Sequence, residues 1–349
     1  TFLLCLNSLV VILALGGGLR LPTLEVLIYQ FSRVELDLQA AAWLALFQTI
    51  LAAGGSVALL LVQRQEGEAY VSGSAAWPAG RRPTALLRAF TGGWSLLWSG
   101  VTLLLLALLV QDALRGNNPA SSSLSGSHFL YWILRDTAQF WPSLWNSLCI
   151  SLSSALLSTA LGLGLCQRIA ASRHTLGMRL LFLLPATVSL VVLATAWFHG
   201  QQQFFSDRFQ PPFALQVIVL HTLLTMPLAM WTLLPTIQAT PRTWGSVMQL
   251  VKASWWRRSE VYARWWRATL GFHFGVAVVL SLGEFNVALL FSDGSEQALP
   301  LLLYQSLGSY RVGQASALAV LLLLLIWGAW GLLPWLWRSL RMTYRLFLH

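Results

Sequence analysis

The sequence predicts an all-α membrane protein, a polytopic helical bundle of about eight transmembrane helices. Three observations predict it: composition, long apolar stretches, and alternating charge. Of 349 residues, 56% are hydrophobic and only 10% charged, with a mean hydropathy of +0.65. A soluble domain carries about 25% charged residues, so this chain has too little polar surface to clothe a water-exposed fold. A bilayer is its natural solvent.

The apolar stretches lie at about 1–17, 38–62, 92–113, 143–166, 180–198, 213–236, 268–292 and 313–337. Each is free, or nearly free, of Lys, Arg, Asp and Glu. Spanning takes about 20 residues at 1.5 Å each, which leaves the fifth stretch near the short end. A closed β-barrel is the other way to satisfy backbone groups in lipid. Its strands would alternate, whereas Val101–Val110 and Leu321–Ile326 are apolar on every side. Helices are therefore expected.

Charge orders the stretches across the membrane. Segments 63–91, 167–179, 237–267 and 338–349 hold 4, 3, 6 and 3 Lys+Arg, which is 16 of the 22 present. The intervening loops hold the other six, and eight of the twelve acids lie in or beside them. That alternation follows the positive-inside rule and puts both ends of this chain in the cytoplasm. A net charge of +10 would suggest nucleic acid in a soluble protein. Such a role needs the cations on one face, so no nucleic-acid partner is expected. The partner implied by composition is the lipid bilayer. Cys5, Cys149 and Cys166 all fall within spans and form neither a metal-ligand cluster nor a disulfide framework. Thr1 opens directly into an apolar run without Met or a basic segment, so the chain reads as cut rather than processed.

An internal repeat organises the chain. Thr23–Leu46 aligns without gaps on Ala298–Leu321, at an offset of 275 residues and with 8 of 24 positions identical. The identities include Tyr29/Tyr304, Gln30/Gln305 and Gln39/Gln314. Each copy runs from an outer loop into a final span and then a basic segment. The expected domains are therefore the last two spans of a first half (1–62), a cytoplasmic linker (63–91), a complete second half (92–337) with a basic loop at 237–267, and a cytoplasmic tail (338–349). Both copies run in one membrane orientation, as in parallel-repeat transporters, and repeat arithmetic puts roughly 180 residues before Thr1.

Three blocks carry a family resemblance: Leu15–Gln30 (LGGGLRLPTLEVLIYQ), Ser281–Leu290 (SLGEFNVALL) and Leu299–Arg311 (LPLLLYQSLGSYR). Together they resemble the inner-membrane permeases of ABC importers of the thiamine-permease type. The resemblance implies the type I permease fold, as one complete six-helix half plus the last two helices of the other. It also implies a bacterial inner membrane, a cytoplasmic ABC ATPase dimer, and a periplasmic solute-binding protein. It implies a small solute, with thiamine or a related compound first. Permeases for ferric iron and other small solutes share the Gly-Glu-Phe element and stand as the alternative. No cofactor is expected in this chain, because ATP would be used by the partner; no G-x-x-x-x-G-K-[ST] motif occurs.

In that family the cytoplasmic loop before the fifth span of a half carries a short coupling helix against the ATPase. Here the loop is Ile237–Arg267, and Val247–Trp256 is the expected helix. The family pattern is degenerate: Ser246, Val247 and Met248 stand for Glu-Ala-Ala, and Lys252 takes the glycine. Ala253, Ser254 and Trp256 suit the positions that follow, and Trp255, Trp256 and Arg257 begin a run of interleaved Trp and Arg. These types are enriched at protein–protein hot spots. They are equally at home at a headgroup belt facing anionic lipid.

Glu284 is the one acid that falls inside an expected span, where a carboxylate is expensive and faces a bundle interior or a watery cavity. It either attracts a cationic solute or fixes two helices by a hydrogen bond; the structural reading is preferred, because permeases for other solutes share the element. Asn286 points elsewhere on the helix. Leu299–Tyr310 reads as a re-entrant or interfacial helix near the outer mouth, offering Tyr304, Gln305 and Tyr310 to a solute or a binding protein. His221 and His273 read as interhelical hydrogen-bonders. Pro227 and Pro235 are expected to kink the sixth span. A membrane enzyme would need clustered His, Asp or Glu, and a passive channel would need repeated polar rings; the sequence favours a permease over both.

Overall fold

The computed structural model describes residues 23–35, 37–71, 85–115, 137–172, 177–178, 182, 185, 188–204, 211–240, 250, 254–292 and 296–345. Among these the chain is helical throughout, without strands. Five helices are long and apolar enough to cross a membrane: Gly92–Leu114, Gln139–Ala171, Phe213–Thr232, Arg264–Gly283 and Val312–Gly331. The chain is thus an all-α, multi-pass membrane protein. The expected first span, 1–17, lies outside the described residues.

The chain opens with α1 (Leu24–Tyr29), a single π-helical turn (Gln30–Val34), and α2 (Leu38–Val71). Then come α3 (Ala85–Arg115), α4 (Thr137–Ala171) and α5 (Leu190–Phe204). Within the expected fifth span at 180–198, whose first part lies largely outside the described residues, a helix runs from Leu190. Ser189 is the local reason, because its Oγ accepts the Val191 N–H at 3.2 Å and so caps the first turn.

The sixth span is broken, as its prolines require. It runs as α6 (Phe213–Thr225), a 3₁₀ turn (Met226–Leu228), α7 (Ala229–Thr232) and α8 (Leu234–Gln238). Pro227 and Pro235 have no N–H to give the preceding turn. The chain then enters α9 (Trp255–Gly283), breaks at Glu284–Phe285, and continues through α10 (Asn286–Phe291), α11 (Leu299–Gly308) and α12 (Val312–Arg345).

The repeat is visible in three dimensions. Thr23 and Ala298, in register, both hold extended backbone (ψ 166° and 156°) and both launch a short helix. Each short helix then turns into a long one. The turns differ: the first copy returns through the π turn, the second through Tyr310 at φ 57°.

α4 is the axis of the bundle. Ser143, Ser147, Ser151, Ser154 and Ser158 recur three or four residues apart, and all are buried, so one face of α4 is a seam of small polar side chains. Small residues let membrane helices approach closely. Gly162 extends the seam: a Cβ there would sit 2.6 Å from Ala229 Cβ of α7. Above it, Ala155 meets Ala277 and Val278 of α9; below it, Cys166 and Ile169 pack with Leu233 and Leu270.

Candidate functional site

The first polar centre gathers on Glu25, a residue whose sequence position suggests an outer loop. α1 folds back into the bundle instead, and Glu25 is 1% exposed there. Its Oε1 accepts from Ser189 Oγ at the start of α5 and from Gln48 Nε2 of α2 at 3.3 Å. Ser189 and Gln48 are fully buried. A signal for this exists in the sequence: the repeat aligns Glu25 with Pro300, inside the segment that reads as re-entrant.

Glu284 corrects the expectation in a second way. It occupies a break between α9 and α10 rather than the interior of a continuous span. Its N–H reaches the Ser281 carbonyl at a long 3.4 Å, and its Oε1 accepts the Asn286 N–H at 2.9 Å. The side chain thus caps α10 and replaces a helical bond that the break removes.

Asn286 is buried, and its Oδ1 has no hydrogen-bond partner among the described residues. Tyr304 joins this region through Phe285, with ring centroids 4.8 Å apart. Gln305 and Tyr310 do not: both are exposed, Tyr310 to 91%. So the structure brings Glu284, Asn286 and Tyr304 together and leaves Gln305 and Tyr310 on the surface.

The histidines act as interhelical ties. His221 Nδ1 pairs with Ser281 Oγ at 2.6 Å, and Ser281 Oγ accepts from Ser154 Oγ at 3.0 Å, which links α6, α9 and α4. His273 uses both ring nitrogens, on Ser158 Oγ at 3.3 Å and Thr232 Oγ1 at 2.9 Å. No group of three or more His, Cys, Asp or Glu able to hold a metal occurs among the described residues.

The basic loop is described in part. Lys252 and Ala253 lie outside the described residues, and Ser254 is exposed and non-helical. Trp255, Trp256 and Arg257 form the first turn of α9, the helix that goes on to cross the membrane. Farther along α9, Trp266 is buried, stacks on Tyr262 at 5.0 Å, and donates Nε1–H to Thr240 Oγ1 at 2.9 Å. Trp266 therefore ties the loop's two ends together.

No family model matches the chain. Among curated proteins it is 31% identical over 343 residues to the thiamine transport system permease protein of Haemophilus influenzae, a match covering 93% of this chain and 58% of that relative. It is 28% identical to the proteins of the same name from Salmonella typhimurium, over 337 residues, and Escherichia coli, over 333. Those matches cover 93% of this chain and 59% of each relative. The chain thus spans less than two thirds of the length of the relatives it matches. Along nearly all of its own length, the chain is similar to thiamine transport system permease proteins.

Proposed function

We propose that the chain is the membrane-spanning permease part of an ATP-binding-cassette importer that carries thiamine, or a closely related cation, into the cytoplasm. The observation that carries this reading is the similarity to thiamine transport system permeases over 93% of the chain. Glu284, at the break between α9 and α10, supports a cationic solute, since a carboxyl there can meet a positive charge. In this reading a separate ATPase hydrolyses ATP on the cytoplasmic side and a binding protein delivers solute from the periplasm. The membrane is the bacterial inner membrane, and the excess of Lys and Arg in alternate loops sets both ends of the chain inside.

Deleting the gene and measuring uptake of labelled thiamine tests the proposal, with ferric iron measured in parallel. The expected result is loss of thiamine uptake, restored by the gene, with iron uptake unchanged. Intact thiamine uptake would overturn the reading, and a selective loss of iron uptake would replace it with the ferric permease alternative.

A further inference from the structure

The return from α11 to α12 turns on Tyr310, whose φ of 57° makes it the one non-glycine residue with positive φ among the described residues. Its N–H reaches the Leu307 carbonyl at 3.0 Å, and the Arg311 N–H reaches the Ser306 carbonyl at 2.9 Å. These two bonds close the helix in the Schellman pattern, whose left-handed position normally belongs to glycine. A bulky side chain is strained there. The fold has an unstrained way of making the same return. Glu35, the mate of Tyr310 at the repeat offset, ends the π turn at φ −89°.

Packing does not offset the strain at Tyr310. The side chain is 91% exposed, and residues 307–312 are exposed with it. Strain that burial does not explain points to a task for the side chain. Tyr and Arg are enriched at protein–protein hot spots, and here Tyr310 and Arg311 stand together, flanked by exposed Leu307 and Val312. A backbone fixed in advance lowers the cost of ordering the ring on binding. Fluid headgroups ask no single direction of a tyrosine, so a place in the membrane's aromatic belt does not call for the strained turn. Charge adds an orientation. Residues 33–37 hold Arg33, Glu35 and Asp37, whereas their mates 308–312 hold Arg311 alone, so the matched turns carry opposite net charge.

We propose that the Tyr310–Arg311 turn is the docking anchor for a soluble protein outside the membrane. Tyr310 enters an apolar pocket on that protein's surface, and Arg311 meets an acid at the pocket's rim. The alternation of charge along the chain sets the turn on the outer side. The opposite charge of the Glu35 turn decides which way round the partner sits. It presents acid to Arg311 and base to Glu35 and Asp37, and in the reversed orientation like charges would meet. This inference rests on the function proposed above, in which the partner is the protein that delivers the solute.

The test uses the whole transporter, purified from its own membranes into lipid nanodiscs, and the thiamine-binding protein isolated from the same cells on immobilised thiamine. Their affinity is measured for the unaltered transporter and for Tyr310→Ala, Tyr310→Gly and Arg311→Glu. Tyr310→Ala and Tyr310→Gly should each weaken binding by about thirtyfold or more. Tyr310→Gly should do so with an equal or higher unfolding midpoint, because glycine takes the left-handed conformation freely. Arg311→Glu should slow association, most of all at low salt. Unchanged affinity in Tyr310→Gly, or a lowered midpoint, overturns the proposal and leaves the proposed function standing. An unaltered transporter that binds no such protein removes both. p-Benzoylphenylalanine at position 310 supplies an independent arm in intact cells. Adducts to the thiamine-binding protein support docking, and adducts to lipid alone overturn it.

Discussion

Replacing Gly162 by alanine adds one methyl group where the molecule has no room for it. The new Cβ would stand 2.6 Å from Ala229 Cβ, with Met226 O at 3.8 Å and His273 Nε2 at 3.9 Å. Two methyl carbons in ordinary contact need about 3.5–4.0 Å, so α4 and α7 must part by roughly 1 Å. Neither partner can swing aside, because each is a Cβ fixed to its helix. Overpacking of this kind destabilises by about 1–3 kcal/mol. The better helix propensity of alanine offsets at most about 1 kcal/mol of that. Parting the helices also strains the bonds His273 makes to Ser158 and Thr232 on those two helices. The assay is the denaturant midpoint of the purified protein in mild detergent, with two comparisons. Gly164→Ala, two residues away with nothing within 4 Å of its built Cβ, should leave the midpoint unchanged or slightly raised. Gly162→Ala combined with Ala229→Gly should recover most of the loss, because the second change removes the opposing methyl. A Gly162→Ala midpoint equal to that of Gly164→Ala would refute the close crossing, and failure of the double variant to recover would refute its cause.

Glu284→Gln keeps an acceptor for the Asn286 N–H and should be expressed normally; reduced thiamine uptake at unchanged expression is the outcome the cation reading requires, and unchanged uptake assigns Glu284 to structure. Glu25→Ala leaves buried Gln48 and Ser189 without their acceptor and should destabilise by about 1–3 kcal/mol, measured by detergent unfolding, whereas Glu25→Gln should be milder. Trp255→Ala with Trp256→Ala should release the ATPase from purified complexes at normal membrane insertion, as truncating a central anchor costs about 2 kcal/mol or more; full retention would remove these residues from coupling. Cysteine labelling with an impermeant outside reagent should modify position 207 and spare position 252, and the reverse would invert the topology.

The fold is legible in the sequence where a single physical effect decides the outcome. Runs such as Val101–Val110 have no stable alternative to a helix in lipid, and prolines at 227 and 235, placed mid-span, remove the helical hydrogen bonds that their N–H groups would have made. The short helix α11 is readable because Pro300 and Gly308 bracket it. For Glu25 the repeat hints at an inward fold but not at the contacts, which depend on three elements meeting: α1 folded inward, Gln48 on α2, and Ser189 from a distant stretch. No local pattern reports a partner 164 residues away. The start of α5 at Leu190 is hidden for a like reason, since hydropathy measures transfer and says little about where a serine caps a turn. At Glu284 the sequence points to the residue and not to its setting: apolar neighbours on both sides conceal the break that its carboxylate caps.

The serines along α4 have a mechanical consequence. Ser143 donates to the Gln139 carbonyl at 2.7 Å, Ser151 to Leu148 at 3.1 Å, and Ser154 to Ser151 at 3.1 Å, each within its own helix. The single O–H of Ser154 has a second acceptor within reach, Ser281 Oγ at 3.0 Å. A hydroxyl with such a fallback loses little when its neighbour across the interface shifts. Leucines interlocked along the same line would have to ride over one another. The seam therefore joins α4 to α9 without interlocked side chains, and Ser154–Ser281 and Ser158–His273 are the specific bonds across it.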